Sequence, residues 1–257
     1  DIDPELTQEI NFRARSRCAQ AAKELGVQRY VLSSSCSVYG SSGEALIDEG
    51  AATNPLSTYA QCNISAEDAV LSLSDSNFTA VALRNGTVFG LSPRMRFDLI
   101  VNLMVLKATL ESRVTILGGG RQMRPLVHVG DVADAIIAIL IAPSERVNGQ
   151  VFNNALRNMN VRSVAMMVRQ VLGFPIEMVF APDDIDKRSY SVCTKRLEEA
   201  VGFKAAVSVE EGIREVYEAV FSGEVEEGPK AKTVSWYRYL IEAQKTIQSL
   251  ELDGRIF

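Results

Sequence analysis

Hydroxyl side chains cluster where one apolar run of the sequence ends. Ser33, Ser34 and Ser35 close the run RYVLSSS, and Tyr59 begins a helical pattern after a polar loop. In an open α/β sheet, ligands bind in the crevice outside the carboxyl ends of the strands. The sequence therefore predicts that Ser35 and Tyr59 face one crevice, where a serine hydroxyl and a phenol can each donate and accept a hydrogen bond.

These hydroxyls stand within a family pattern. The segment SSSCSVYG at 33–40, followed by Tyr59, resembles the active-site strand and the Tyr-x-x-x-Lys helix of the extended short-chain dehydrogenase/reductase family, in its NAD-dependent sugar-nucleotide epimerase/dehydratase branch. In that family the tyrosine is the acid or base on a sugar hydroxyl, the serine hydrogen-bonds the same oxygen, and a hydride passes to the nicotinamide. The resemblance implies catalytic roles for Tyr59 and Ser35, NAD or NADP as cofactor, and a nucleotide-sugar as substrate.

Asn63 departs from this pattern, because it stands where the family has the lysine. In the family that lysine binds the nicotinamide ribose, and its charge favours the phenolate form of a group that otherwise ionises near pH ~10. An amide donates a hydrogen bond but carries no charge, so we expect Tyr59 to be a weaker base. Asn63 is thus an altered cofactor-binding position, and the resemblance adds Ser33 and Thr87 as further cofactor-binding positions.

The chain opens without the usual phosphate-binding element. A dinucleotide-binding fold of this class begins with a strand, a glycine-rich turn and a helix, whereas this chain opens on DIDPE. The glycines at 118–120 lack the G-x-G-x-x-G spacing and predict a plain turn. Against the family's layout the chain begins at the fourth helix, so we expect an N-terminally truncated form, either natural or a product of sample preparation.

The downstream segment RPLVHVGDVA at 124–133 matches a second family signature. By resemblance, Arg124 and Arg188 face the substrate pyrophosphate, which suits a guanidinium because its rigid fork matches phosphate oxygens. Asn102 meets the sugar nucleotide by the same resemblance, although it could instead only hydrogen-bond within its helix. Arg188 could equally be an exposed loop residue. His128, the single histidine, is expected to be structural, and Asp131 is predicted to cap the following helix.

The pattern of elements predicts an α/β fold. A helical pattern from Glu5 to Leu25 ends at Gly26, and strands are predicted at 27–34 and 78–88 with a helix at 56–73 between them and a loop at 41–53. This alternation is typical of a parallel sheet with crossover helices. We therefore predict a truncated Rossmann-like parallel sheet formed by 1–92 and about 125–160, with a smaller α/β substrate-binding lobe formed by 93–124 and 161–257.

Composition excludes several classes of protein. A net charge of -5 and a pI near 5.2 give no basic footprint for nucleic acid. The longest apolar run, at 135–142, is shorter than the ~20 residues of a membrane helix. Four scattered cysteines without metal-ligand spacing indicate reduced thiols of a cytoplasmic protein and no metal site. The edge of the 27–34 strand is expected to be covered by a second copy, as a homodimer, by another chain or by a rearranged segment.

The reaction type remains open between two hypotheses. Ser35-Cys36-Ser37 stands where the 4,6-dehydratases of the family carry Thr-Asp-Glu, so the proton carriers for water elimination are absent and epimerase or ketoreductase chemistry is favoured. The first hypothesis is an epimerase or reductase that uses Ser35 and Tyr59. The second is a degenerate member that no longer uses NAD and acts as a binding or interaction protein or as a non-redox catalyst.

Overall fold

The computed structural model describes residues 3–182, 188–252 and 255–256. A π-helical segment, Glu9–Ala14, joins the first two helices. The helices are α1 (Pro4–Gln8), α2 (Arg15–Glu24), α3 (Thr58–Leu71), α4 (Ile100–Glu111), α5 (Val129–Ile141), α6 (Ser144–Val147), α7 (Val161–Leu172), α8 (Lys195–Val201), α9 (Val209–Phe221) and α10 (Thr233–Leu250). The strands are β1 (Arg29–Ser35), β2 (Ser41–Ile47), β3 (Thr79–Asn85), β4 (Thr87–Phe89), β5 (Arg113–Leu117), β6 (Met123–His128), β7 (Val151–Asn154), β8 (Arg157–Asn160), β9 (Glu177–Ala181), β10 (Ser189–Val192), β11 (Glu251–Leu252) and β12 (Arg255–Ile256).

A parallel sheet of β1, β3 and β7 carries the first part of the fold, with β3 in the middle. All seven residues of β3 are buried, as expected of an apolar strand covered on both faces. The register aligns Ser35 of β1 with Asn85 of β3, and Asn85 with Asn154 of β7. Because parallel strands end at the same edge, these three polar residues form a row at the carboxyl end of the sheet. The α/β class and the Rossmann-like parallel sheet are thereby confirmed.

Helices cover both faces of this sheet. On one face, α2 and α3 pack over β1 and β3 around Ala19, Leu32, Val70 and Phe78. On the other face, α5 and α8 pack over β3 and β7 around a second apolar group that consists of Val81, Leu83, Ala135, Ile139, Phe152 and Leu197. The sheet is therefore a rigid platform, and side chains at its carboxyl end are held by cores on both sides.

A separate and larger core lies among α4, α7 and α9, together with β5 and the sheet of β4, β6 and β8. Phe97, Val105, Ile116, Val164 and Ile213 are all completely buried in it. This second core is consistent with a substrate-binding lobe, and the exact division of the chain into domains stays a prediction.

Several element boundaries follow from local chemistry. Gly26 follows α2 with φ +79°, a left-handed conformation that favours glycine at the end of a helix. Asn160 caps α7 by accepting a hydrogen bond from the Ser163 N–H at 2.7 Å. The predicted role of Asp131 was wrong: the N-cap of α5 is His128, whose Nδ1 accepts the Gly130 N–H at 3.1 Å. Asp131 lies in the first turn and instead accepts the backbone N–H groups of 206 and 207.

The predicted loop at 41–53 was also wrong at its start. Ser41–Ile47 forms β2, which pairs in parallel with β10. The segment SSGEALI has too few apolar residues to be recognised as a strand, and its partner lies far along the chain, so only tertiary pairing reveals it. None of the helices in the described ranges has both the length and the apolar character that crossing a membrane would need.

Candidate active site

A tight turn ends β1 and presents Ser35. The Ser35 Oγ accepts a hydrogen bond from the Ser37 N–H at 3.2 Å and caps the 3₁₀ turn Cys36–Tyr39. Gly40 then follows with φ +64°, and a Cβ atom on it would lie 1.9 Å from the carbonyl oxygen of Asn54. Only glycine fits there, so the turn has a fixed course. Ser35 is half-buried at the carboxyl end of the sheet, and a serine hydroxyl that accepts a hydrogen bond can still donate its own proton.

Tyr59 lies in the first turn of α3. Ser57 caps this helix by accepting the Ala60 N–H at 3.2 Å, which fixes where the helix begins. The Tyr59 side chain is 37% exposed, although its helix is packed on the sheet. Because α3 packs against both β1 and the turn Cys36–Tyr39, the two predicted catalytic hydroxyls stand on contacting elements at the carboxyl edge of the sheet.

The Asn63 side chain is fully buried and both of its polar atoms are engaged. Its Nδ2 donates to the backbone carbonyl of Tyr59 at 3.0 Å, and its Oδ1 accepts from the Arg15 Nη1 at 2.8 Å. Arg15 also donates to the carbonyl of Ser33. A guanidinium therefore lies beside α3 one turn after Tyr59. Sequence reasoning missed Arg15, because nothing in its local pattern distinguishes it from the other arginines nearby in the chain.

A row of amides was also missed. The Asn85 Nδ2 donates to the Ser33 Oγ at 3.1 Å, and its Oδ1 accepts from the Asn154 Nδ2 at 3.0 Å. Both asparagines are buried. Ser33, one of the predicted cofactor-binding residues, is thus tied to the adjacent strand. The signal in the sequence was the placement of LRNG and FNNA at the ends of apolar strands, which puts both amides at the ligand-binding edge.

A buried ion pair joins α3, the helix of Tyr59, to β3. The Arg84 Nη2 lies 2.6 Å from the Glu67 Oε2, with both side chains almost completely buried. The Arg84 Nη1 donates to the Tyr39 hydroxyl at 2.9 Å, and that hydroxyl donates to the Asn153 Oδ1 at 2.8 Å. Burial raises the pKa of Tyr39 to about 12, although the Arg84 charge opposes the rise. Glu67 also accepts from Ser34, so the network fixes α3, β1 and β3 together.

The predicted substrate residues lie on α4, on β6 and directly before β10. Asn102 is buried, and its Oδ1 accepts the Gly90 N–H at 3.0 Å while its Nδ2 lies 3.3 Å from the Arg96 carbonyl. Arg124 is buried in β6 and donates to the backbone carbonyl of Arg188, so the two arginines are neighbours. Asn102 thus supports the loop after β4 from within α4, and its contact with a sugar nucleotide stays a prediction.

Thr87 and His128 are the remaining residues singled out from the sequence. Thr87 begins β4 and is half-buried. His128 has its Nε2 3.2 Å from the Glu215 Oε2 and packs edge-on against the Phe89 ring. Gly90 makes room for the imidazole, because a Cβ atom there would lie 2.2 Å from the His128 Nε2. These contacts fit the expected structural role of His128.

The fit of the chain to a nicotinamide dinucleotide is partial. Ser35 and Tyr59 lie on elements at the carboxyl edge of the sheet, where ligands of open α/β sheets bind. The G-x-G-x-x-G turn that would hold the pyrophosphate is not among these 257 residues, and the Asn63 amide is already satisfied within the protein. The residues described do not, by themselves, form a complete dinucleotide site. Within the described ranges, no three His, Cys, Asp or Glu side chains form a group that could hold a metal ion.

Comparison with known proteins defines the class. Residues 1–155 match the NAD dependent epimerase/dehydratase family, and the chain belongs to that family. It is 29% identical over 223 residues to UDP-glucose 4-epimerase of Mycolicibacterium smegmatis, an alignment that covers 84% of this chain and 70% of the relative. It is 30% identical over 134 residues to the uncharacterized UDP-glucose epimerase YtcB of Bacillus subtilis, an alignment that covers 52% of this chain and only 42% of that relative.

Solved structures show the same fold. MoeE5 in complex with UDP-glucuronic acid and NAD superposes with a TM-score of 0.73 at 28% identity, covering 84% of this chain and 72% of that chain. The UDP-glucose 4-epimerase of Thermotoga maritima, solved with UDP-glucose, superposes with a TM-score of 0.77 at 23% identity, covering 87% of this chain and 73% of that chain. The second likeness concerns the fold alone.

Proposed function

We propose that this protein acts on a nucleotide-sugar as an epimerase or ketoreductase, with Tyr59 as the acid-base group and Ser35 as its hydrogen-bonding partner. The observation that carries the proposal is the pair of hydroxyls, on contacting elements, at the carboxyl edge of the parallel sheet. Membership of the epimerase/dehydratase family supports it.

The roles of the two hydroxyls differ. Tyr59, as phenolate, takes the proton from a sugar hydroxyl when that carbon is oxidised, and it returns the proton in the reverse step. The Ser35 Oγ accepts the Ser37 N–H, and in this proposal the Ser35 hydroxyl donates its own proton to the same sugar oxygen. A donor held in advance at the oxygen that changes charge stabilises the transition state.

The ligands bound in similar solved structures support a nucleotide-sugar as the substrate. MoeE5 was solved with UDP-glucuronic acid and with UDP-glucose, in both cases with NAD. We infer that the substrate of this chain is a nucleoside diphosphate sugar, with Arg124 and Arg188 facing its pyrophosphate. A nicotinamide cofactor, when bound, supplies hydride exchange at the sugar carbon.

A second candidate is favoured by one observation. Both polar atoms of Asn63 are used within the protein, by Tyr59 and Arg15, at the position where the family binds the cofactor ribose. This favours a degenerate member that keeps the sugar-nucleotide cleft and has lost NAD-linked turnover.

Calorimetric titration separates the two candidates. The purified protein is titrated with NAD, with NADP and with UDP-, GDP- and dTDP-sugars, alone and in pairs. Binding of a nucleotide-sugar together with a nicotinamide cofactor, at micromolar strength, supports the enzyme. Binding of the sugar nucleotide alone supports the degenerate form, and binding of neither contradicts both. Arg124→Gln is the matched variant, because loss of a phosphate-facing charge should weaken the nucleotide-sugar and leave NAD unaffected.

A further inference from the structure

The Arg15 guanidinium lies where three elements meet. Its Nη1 donates to the Asn63 Oδ1 of α3 at 2.8 Å and lies 3.3 Å from the Asn11 carbonyl of the π-helical segment. Its Nη2 donates to the Ser33 carbonyl of β1. Oxygen atoms from three separate elements thus surround one half-buried cation.

The backbone before Arg15 is arranged to allow this. Glu9–Ala14 is π-helical, a form that occurs mostly as single turns and frequently at functional sites. The Arg15 N–H donates to the Phe12 carbonyl rather than to the Asn11 carbonyl. The Asn11 carbonyl accepts a hydrogen bond from the Arg15 side chain, with its oxygen 3.3 Å from the Nη1.

The proposed chemistry needs a positive charge at this place. A phenol that is to act as a base near neutral pH requires a nearby cation, because opposite charge favours the ionised form. Asn63 lies one turn after Tyr59 and carries no charge. The guanidinium of Arg15 contacts that amide directly, and a guanidinium stays protonated throughout the working range of pH.

We propose that Arg15 is a positioning residue for Tyr59, which holds the Asn63 amide in place and supplies the positive charge beside the first turns of α3. Asn63 links the two, since its Oδ1 accepts from Arg15 and its Nδ2 donates to the Tyr59 carbonyl. The proposal rests on the proposed function in so far as it takes Tyr59 to be the base. It assigns the cationic role to a residue of α2 rather than to one of α3.

The test measures the ionisation of Tyr59 directly, in protein without ligand. The seven tyrosines are labelled with ¹³C at the ring carbon that bears the oxygen, and the Tyr59 signal is assigned by its loss in Tyr59→Phe. Arg15→Gln removes the charge, Arg15→Met removes it while keeping the apolar stem, and Arg15→Lys keeps it. Arg13→Gln is the matched control, because Arg13 is an exposed neighbour that pairs with Glu9 at 3.2 Å.

The expected result is a rise of about 0.5 to 1 pH unit in the ionisation midpoint of Tyr59 when Arg15 is replaced by Gln or Met. Arg15→Lys should keep most of the original midpoint because it retains the charge, and Arg13→Gln should keep all of it. A folded neutral variant, Arg15→Gln or Arg15→Met, with the original midpoint overturns the proposal.

A kinetic readout adds a second criterion. With a nucleotide-sugar that the wild-type protein turns over, Arg15→Gln should lower kcat about 3- to 10-fold near neutral pH, leave KM nearly unchanged, and lose most of that defect at higher pH. If the protein turns over none of the sugars, the proposed function fails, whereas the ¹³C titration still decides the role of Arg15. If the midpoint moves and Tyr59→Phe retains full turnover, Arg15 has the proposed effect but Tyr59 is not the base.

Discussion

Glu67 and Arg84 form a buried ion pair that ties the helix of Tyr59 to the central strand. Their closest atoms lie 2.6 Å apart, and the side chains of Arg84 and Glu67 are 7% and 4% exposed. Glu67 follows Tyr59 by two turns on the same face of α3, so the pair fixes how that helix lies along the sheet. The position of the catalytic candidate therefore depends on a contact two turns away from it.

Removing one partner of this pair should lower the stability of the folded protein. We expect Glu67→Gln to lower the free energy of unfolding by about 3 kcal/mol, because it leaves the Arg84 charge buried without a counter-ion. Urea denaturation followed by circular dichroism measures the change. Glu177→Gln is the control, since its pair with Arg113 is exposed and should contribute little. Equal stability of the Glu67 variant and the wild type would show that the network is not needed for the fold.

Removing an asparagine from the row of amides at the carboxyl edge of the sheet should also lower stability. Asn85→Ala removes the partner of both the Asn154 Nδ2 and the Ser33 Oγ, and we expect a loss of about 1 to 3 kcal/mol in unfolding free energy. Asn77→Ala, at an exposed turn residue, is the matched control. Thermal unfolding of the two variants and the wild type, measured together, checks the difference. An Asn85 variant as stable as the control would mean that water replaces the lost contacts.

Stability should fall at alkaline pH because of Tyr39. Burial raises the pKa of Tyr39 to about 12, above the ~10 of an unfolded tyrosine. The folded protein therefore holds this proton more tightly, and the associated stability is fully present below pH ~10 and is lost as the pH rises through about 12. Between pH ~9 and pH ~11 the loss is about 1 kcal/mol.

Tyr39→Phe isolates this contribution. The variant loses the hydrogen bonds to Arg84 and Asn153 and should be less stable at every pH, yet its stability should decline less between the two pH values. Tyr239→Phe, at an exposed position of α10, should decline as the wild type does. Burial also raises the pKa of the Cys36 thiol, so part of the decline should remain in all three proteins. Identical slopes for Tyr39→Phe and the wild type, in urea denaturation at the two pH values, would contradict the assignment.

Much of the fold could be predicted from the sequence, because its signals are local. The apolar runs that became β1 and β3, the Asn160 cap and the glycine after α2 all follow from side-chain chemistry within a few residues. β2 could not be predicted, since its residues gain strand structure only by pairing with β10. The cap of α5 was misassigned because His128 and Asp131 both lie near its start, and only the fold brings the backbone of 206–207 to Asp131.

The candidate site was likewise only partly predictable from the sequence. Ser35 and Tyr59 were predicted from a motif, and the motif also marked Asn63 as an exception. The motif could not indicate Arg15, because its guanidinium reaches Asn63 from another helix. The Asn85 and Asn154 contact likewise depends on the register of two strands that are distant in sequence.

The central claim is that Tyr59 transfers the proton in a reaction on a nucleotide-sugar. The most direct measurement follows UDP-glucose, with NAD present, by proton NMR in the wild-type protein and in Tyr59→Phe, with Tyr239→Phe as the control. We predict conversion of the sugar by the wild type and by Tyr239→Phe, and a kcat at least ~100-fold lower in Tyr59→Phe with the nucleotide-sugar still bound. Turnover by Tyr59→Phe at the wild-type rate would contradict the account.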